Sequence, residues 1–166
     1  NVQRDDSEVT DLFRLFEERT RELLENEDIH DNEVRVRYIG KTELLPESLQ
    51  EAIAEVEAAT GQYSRFQLNI AMAYGGRMEI LEAFRSYLRD KARDGESLEA
   101  VADELDERSI ERYLYTFGQP EPDLILRTSG EVRLSGFLLW QSAYSEFYFC
   151  DANWPAFRRI DLYRAL

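Results

Sequence analysis

The sequence predicts an α/β domain with a mainly parallel central sheet flanked by helices, formed by residues 1–166 as a single domain. Three observations predict it. Runs of strand length at 34–39, 66–73, 123–127 and 146–149 alternate with longer segments of helical period. Gly75-Gly76 joins an apolar run directly to a helical one, the order expected of strand–helix units. The length of 166 residues, with 43% hydrophobic and 33% charged side chains, suits one packed core and is too apolar for a disordered tail.

Residues 5–27 place Val9, Leu12, Phe13, Phe16, Leu23 and Leu24 near helical spacing, an amphipathic helix with Asp5 and Asp6 as N-terminal caps. His30, the only histidine, sits in a polar stretch read as a solvated loop and supports neither a histidine metal site nor a Ser-His-Asp triad. Val34, Val36 and Tyr38 alternate with Arg35 and Arg37, a half-buried strand closed by Gly40. Pro46 opens a helix at its first position, and Leu49, Ile53 and Val56 continue it to Thr60-Gly61. The apolar run 66–73 turns at Tyr74-Gly75-Gly76 into a helix carrying Ile80, Leu81, Phe84 and Leu88, which Asp94-Gly95 ends. Residues 98–116 form one or two acidic helices, Pro120 and Pro122 bracket a loop, and a strand at 123–127 precedes a Thr128-Ser129-Gly130 turn. A buried helix is expected at 137–144 and a strand at 146–149.

Twenty basic residues against 34 acidic ones give a formal charge of -14, which argues against a broad basic face and a nucleic-acid partner. Lys41 and Lys91 are the only lysines. An arginine-based, acidic composition fits either a halophilic protein, whose charges are screened by salt, or an ordinary acidic one. Cys150 is the only cysteine, which excludes an internal disulfide and a thiolate cluster, fits a reducing cytoplasm and is read as a core residue. No apolar run reaches transmembrane length and no signal-peptide pattern opens the chain, so the expectation is a soluble protein, at most peripheral to a membrane. The first residue is not Met and a helix follows almost at once, so a further upstream segment is expected.

The densest polar cluster is Arg127-Thr128-Ser129-Gly130-Glu131-Val132-Arg133-Leu134-Ser135. Two guanidiniums, three hydroxyls and a glycine that lets backbone N–H groups approach a ligand have the make-up of an anion site. The same residues suit an arginine–carboxylate network tying a loop to the core, and spacing alone does not choose. Gly75 and Gly76 favour close helix–strand packing over phosphate binding, since neither a Walker lysine nor a dinucleotide fingerprint accompanies them. Glu146, among Tyr144, Phe147, Tyr148 and Phe149, is either a carboxylate needing a cationic partner or a strand-edge glutamate facing water.

These residues resemble the cis-prenyltransferases, whose best-known members are undecaprenyl diphosphate synthases. Asn69-Ile70-Ala71-Met72-Ala73-Tyr74-Gly75-Gly76-Arg77 is similar to the family's N-x-A-x-x-Y-G-G-R segment, and 123–135 to its D-L-x-I-R-T-x-G-E-x-R-x-S signature. Phe137-Leu138-Leu139-Trp140-Gln141, residues 144–149 and Trp154-Pro155 continue the likeness, and Asn1-Val2-Gln3-Arg4 resembles the end of an earlier E-N-x-x-R motif.

The resemblance implies condensation of isopentenyl diphosphate with an allylic prenyl diphosphate to form Z double bonds in a long-chain polyprenyl diphosphate. It implies that Arg127, Arg133 and Ser135 hold the isopentenyl diphosphate, with the backbone at Leu134 assisting, and that Val2 and Arg4 contact substrate. Asn1 matches an asparagine that assists proton removal. Glu146 is implied as a Mg²⁺ ligand that reaches the partner's active site in a homodimer, while Arg77 and Glu79 are assigned to packing and loop support. The family's D-G-N-x-R segment, whose aspartate binds Mg²⁺, has no counterpart in these residues, which without it are expected not to catalyse. Val132, Gly136 and Ala73 depart from residues common in bacterial members and point to an archaeal relative starting from geranylgeranyl diphosphate. Two alternatives are a non-catalytic partner subunit of a heteromeric cis-prenyltransferase, disfavoured by retention of Arg127, Arg133, Ser135 and Glu146, and a diphosphate hydrolase, disfavoured by the lack of a suitable general base.

Overall fold

Apolar residues at helical and strand periods build two compact units, the first ending at Tyr74 and the second spanning Gly75–Leu166. The structure, a computed structural model, describes residues 6–166. Asn1, Val2, Arg4 and the capping role expected of Asp5-Asp6 fall outside what it describes.

In the first unit the order is α1 (Asp6–Glu22), α2 (Glu27–Asp31), β1 (Val34–Ile39), α3 (Glu47–Thr60) and β2 (Phe66–Ala71). β1 and β2 pair in parallel from Val34↔Phe66 to Ile39↔Ala71, with α3 as the crossover. Alternation works as expected in β1: Val36 and Tyr38 are buried and Arg35 is exposed. Two N–H groups of β1 are met by α3 side chains, Val36 N–H donating to Thr60 Oγ1 at 3.1 Å and Tyr38 N–H to Glu57 Oε1 at 2.7 Å. The strand therefore does not present them as an open edge. The core gathers Val36, Leu49, Ile53 and Val56, with Phe13 and Phe16 of α1 packed against it. Gly40 (φ 114°) is left-handed, and a Cβ there would overlap the Met72 carbonyl oxygen, so no other residue fits.

Three expectations change in this unit. Pro46 is the N-cap of α3, and Glu47 is its first residue. His30 lies in α2, half-buried, with Nε2 donating to Leu24 O at 2.7 Å and Nδ1 2.8 Å from Tyr63 Oη. Both ring nitrogens are thus engaged, and the imidazole bridges α2 to the residues after α3 instead of facing solvent. β2 ends at Ala71, short of the expected run 66–73, and leaves Phe66 and Leu68 exposed.

The second unit contains α4 (Gly76–Arg93), α5 (Leu98–Glu104), α6 (Glu107–Glu111), β3 (Leu124–Arg127), β4 (Glu146–Phe149) and α7 (Arg159–Ala165). β3 and β4 pair in parallel, Leu124↔Glu146 to Arg127↔Phe149. Ala83, Tyr87, Val101, Ile110 and Leu114 form the core. α4 turns a different face inward from the one its leucines suggest: Gly76, Glu79, Ala83 and Tyr87 are buried, while Leu81 and Leu88 are 50% and 44% exposed. The buried carboxylate of Glu79 is why apolarity alone misplaced the face. Glu79 Oε1 accepts from Tyr115 N–H and Gln141 Nε2, each at 3.0 Å, which bears out its assignment to loop support, whereas Arg77 is exposed and packs no core. The helix expected at 137–144 is absent; left-handed Ser135 (φ 50°), Gly136 (φ 82°) and Leu138 (φ 45°) break the helical course, and turns follow. Phe137 is 41% exposed, so this segment is not a buried helix in any sense.

At Gly76 the close packing is against the turns at 136–139 and not against a strand. Its N–H donates to Gly136 O at 2.8 Å, and an added Cβ would lie 2.6 Å from that oxygen and 2.9 Å from Leu139 Cγ. Gly76→Ala is expected to destabilise the second unit by about 1–3 kcal/mol through forced displacement, read as a lower urea midpoint. Leu49 is fully buried, and Leu49→Ala should cost about 2–5 kcal/mol in the same measurement.

Charge adds a pH dependence. The Ser109 hydroxyl and backbone N–H hold the Asp106 carboxyl below its usual range, and Arg158 does the same for Asp161. A carboxyl depressed in the folded state contributes stability above its unfolded pKa of about 4 and loses it as pH falls through the lower folded value. Urea midpoints should fall between about pH 5 and pH 2, and Asp106→Asn should flatten part of that fall. An unchanged slope counts against the capping box as its source.

Candidate active site

Parallel pairing places the carboxyl ends of β3 and β4 together, the position where open α/β sheets bind ligands. Arg127 ends β3, and its carbonyl accepts Cys150 N–H at 2.9 Å. The chain then turns through left-handed Ser129 (φ 73°) and Gly130 (φ 70°), whose N–H groups donate to Ala152 O at 2.9 Å and Cys150 O at 3.0 Å. The expectation that Gly130 brings free amides to a ligand is corrected: the amides at 129 and 130 are spent on the segment after β4, and Gly130 supplies the turn. Cys150 in that segment is half-buried, not a core residue.

The turn sends the loop back to the residue it left. Arg127 Nη1 donates to the Arg133 carbonyl oxygen and, at 2.8 Å, to Ser135 Oγ. Arg133 Nη1 pairs with Glu131 Oε2 at 2.7 Å. Leu134 O accepts Phe137 N–H at 3.0 Å and so shapes the exit of the loop. Arg127, Arg133, Leu134 and Ser135 are thus brought onto one folded loop.

The network reading of the cluster is seen directly, since Glu131 pairs with Arg133 and Arg127 ties the loop down. Arg133 and Glu131 are 66% and 41% exposed, and such a pair is worth about 0–1 kcal/mol. A diphosphate offers a guanidinium parallel charge-assisted bonds, which are roughly twice as strong as neutral ones. Each guanidinium has five donors, and the loop contacts are made through Nη1. The arrangement can therefore exchange a weak internal pair for a multiply charged oxyanion.

Glu146 is not brought to this loop. It opens β4 opposite Leu124, its N–H donates to Asp123 O at 2.8 Å, and its side chain is exposed. Along the parallel pair it lies at the other end from Arg127, about 10 Å away for three residues of strand. Among the described residues no three His, Cys, Asp or Glu side chains converge to hold a metal ion. A lone exposed carboxylate still fits Mg²⁺, which commonly takes one or two carboxylates and fills its remaining positions with water and substrate phosphates.

Two residues escaped the sequence reading. Gln141 is buried, and its Nε2 donates to Glu79 Oε1 and to Thr116 Oγ1, both at 3.0 Å. A single amide closing the apolar Phe137-Leu138-Leu139-Trp140 stretch was the signal for it; nothing in the acidic helical stretch marked Thr116.

A family model described as "Putative undecaprenyl diphosphate synthase" matches residues 1–166. The isoprenyl transferase of Deinococcus radiodurans is 48% identical over 166 residues, which are all of this chain and 61% of that protein. The tritrans,polycis-undecaprenyl-diphosphate synthase (geranylgeranyl-diphosphate specific) of Pyrococcus horikoshii is 47% identical over the same shares of the two chains. The crystal structure of lavandulyl diphosphate synthase from Lavandula x intermedia, in complex with dimethylallyl diphosphate, matches with a TM-score of 0.85 at 35% identity, covering 99% of this chain and 69% of that one. A probable undecaprenyl diphosphate synthase from Campylobacter jejuni matches at 0.81 and 32%, covering 99% and 72%. The chain thus spans about three fifths of the length of the curated relatives it matches. With its signature arginines folded onto one loop at the carboxyl end of a parallel strand pair, the chain belongs to the undecaprenyl diphosphate synthase family of cis-prenyltransferases.

Proposed function

We propose that the protein carrying this chain is a transferase that condenses isopentenyl diphosphate with an allylic prenyl diphosphate, forming Z double bonds in a long-chain polyprenyl diphosphate. The observation that carries this reading is the return of the 128–135 loop onto Arg127, whose Nη1 donates to the Arg133 carbonyl and to Ser135 Oγ, on a loop that also carries the exposed Arg133 guanidinium in a chain of formal charge -14. Arg127 and Arg133 neutralise the isopentenyl diphosphate, Ser135 Oγ adds a neutral donor, and the backbone at Leu134 fixes the loop around it. Val2 and Arg4 contact substrate, and Asn1 assists loss of the proton that leaves as the double bond forms. Geranylgeranyl diphosphate as the primer is supported by the name of the Pyrococcus horikoshii relative and by Val132, Gly136 and Ala73. The two compact units work as one domain, the C-terminal part of a cis-prenyltransferase domain.

Glu146 is the residue of this chain that would hold Mg²⁺. The ion, when bound, supplies charge stabilisation for the departing pyrophosphate. The position of Glu146 at the end of the strand pair away from Arg127 supports a homodimer in which each Glu146 serves the partner's site. Among the described residues no helix is long and apolar enough to cross a membrane. A cytoplasmic enzyme with soluble substrates, touching the membrane peripherally to deliver a lipid product, fits this, and the acid-rich, lysine-poor surface suits high salt.

Arg133→Ala is expected to weaken isopentenyl diphosphate binding by about 2–4 kcal/mol in calorimetry; unchanged affinity removes Arg133 from the site. Elongation assays with radiolabelled isopentenyl diphosphate, Mg²⁺ and geranylgeranyl diphosphate should give longer Z-prenyl products, whereas binding without turnover by the full-length protein would indicate a non-catalytic partner subunit. Arg127→Ala and Glu146→Gln should each be inactive alone and regain activity when unfolded together and refolded as mixed dimers. Failure of the mixture to recover would place Glu146 in its own chain's site.

A further inference from the structure

We propose that Gln141 is a positioning residue for the diphosphate loop, an inference that rests on the reading of Arg127, Arg133 and Ser135 as the anion site. Ser135 and Leu138 are non-glycine residues in the left-handed region, with Gly136 between them also left-handed. Such conformations persist only where their surroundings over-determine them. No helix or strand holds the described residues from Gly136 to Ser145, so side chains and single backbone bonds must.

Three tethers are present. Gly76 N–H donates to Gly136 O at 2.8 Å, immediately after Ser135. Ser145 Oγ donates to Pro122 O at 2.5 Å, just before β3. Between them, Gln141 Nε2 donates to Glu79 Oε1 and Thr116 Oγ1, each at 3.0 Å. Gln141 is 5% exposed and Glu79 2% exposed, so their hydrogen bond meets no competing water. Gln141 Oε1 is buried without a hydrogen-bond partner, so the hold of this side chain runs through Nε2 alone.

This geometry makes α4 the reference frame for Ser135. Its first turn grips the strained segment twice, at Gly136 through the Gly76 amide and at Gln141 through Glu79, and Ser135 Oγ in turn receives Arg127 Nη1. Releasing Gln141 removes the buried hydrogen bonds that tie the middle of the segment to Glu79 and Thr116, while the packing of Trp140 against the core remains. The left-handed residues can then relax, and Ser135 and the Arg133 carbonyl move off the Arg127 guanidinium. Gln141 touches no substrate in this scheme and acts through the loop.

The test compares inorganic pyrophosphate affinity by calorimetry for the full-length protein that carries this chain and its Gln141→Met, Thr116→Val and Arg127→Ala variants. Gln141→Met keeps the side-chain length and removes both Nε2 bonds. It is expected to raise the pyrophosphate Kd about tenfold at temperatures well below its Tm. In elongation assays it should raise KM for isopentenyl diphosphate with kcat within about twofold, the pattern of lost uniform binding. A purely structural glutamine would lower Tm and leave both Kd and KM in place, which overturns the proposal. If Gln141→Met fails to fold, Thr116→Val decides, because it removes one acceptor and leaves Gln141 on Glu79. A Kd raised about threefold supports the tether, and an unchanged Kd overturns it. Arg127→Ala separates the two levels: weakened binding there with unchanged binding in Gln141→Met rejects the positioning role alone. Unchanged binding in Arg127→Ala rejects the anion site and this proposal with it.

Discussion

The return of the 128–135 loop onto the guanidinium of Arg127 is the contact on which the candidate site depends. Arg127 stands at the carboxyl end of β3 because the parallel register pairs it with Phe149, the last residue of β4. A one-residue slip would turn its side chain to the other face of the pair. The left-handed turn at Ser129 and Gly130 is pinned by the carbonyls of Cys150 and Ala152, so the chain after β4 fixes the loop after β3. Only then can one Nη1 meet both the Arg133 carbonyl and Ser135 Oγ. The site is therefore built from two strand ends, and neither strand's sequence alone specifies it.

Holding a cationic loop in an acidic chain needs little internal charge pairing if the ligand brings the countercharge. The Glu131–Arg133 pair is exposed and worth little by itself, so separating it costs little. The buried polar residues of the second unit behave differently. Glu79 and Gln141 exchange a hydrogen bond away from water, where a lost partner costs the full desolvation of the group left behind, about 1–3 kcal/mol. The exposed contacts can thus yield to a ligand while the buried ones hold the frame that presents it.

Much of this was legible in the sequence because it rests on local rules. Period-2 alternation located β1, the Gly75-Gly76 turn located the start of α4, and the basic and hydroxyl residues of 127–135 marked the stretch that folds back onto Arg127. What was not legible depends on long-range partners. The apolar residues at 137–144 suggested a helix, but three left-handed residues exclude one, and no propensity encodes the Gly76 amide and Gln141 contacts that hold them there. His30 read as solvated because its partners, Leu24 O and Tyr63, flank it at a distance in sequence. Apolar patterning has no means of placing the Glu79 carboxylate on the buried face of α4, where it lies with Gly76, Ala83 and Tyr87.

Glu146 shows why residue type and position must be weighed together. Its neighbours in sequence are aromatic, which suggested a carboxylate in need of a cation, yet the side chain is exposed at the amino end of β4 and carries no burial penalty in the described chain. Phe147 beside it is 43% exposed and Tyr144 89% exposed, so the apolar residues that made Glu146 conspicuous are themselves at the surface. The exposed carboxylate lies about 10 Å along the strands from Arg127. Desolvation of that carboxylate requires another surface to cover it, and a divalent cation is what would make such covering affordable. The separation of Glu146 from Arg127 along a four-residue strand pair is thus set by the parallel register, which puts the first residue of β4 opposite Leu124 and the last opposite Arg127.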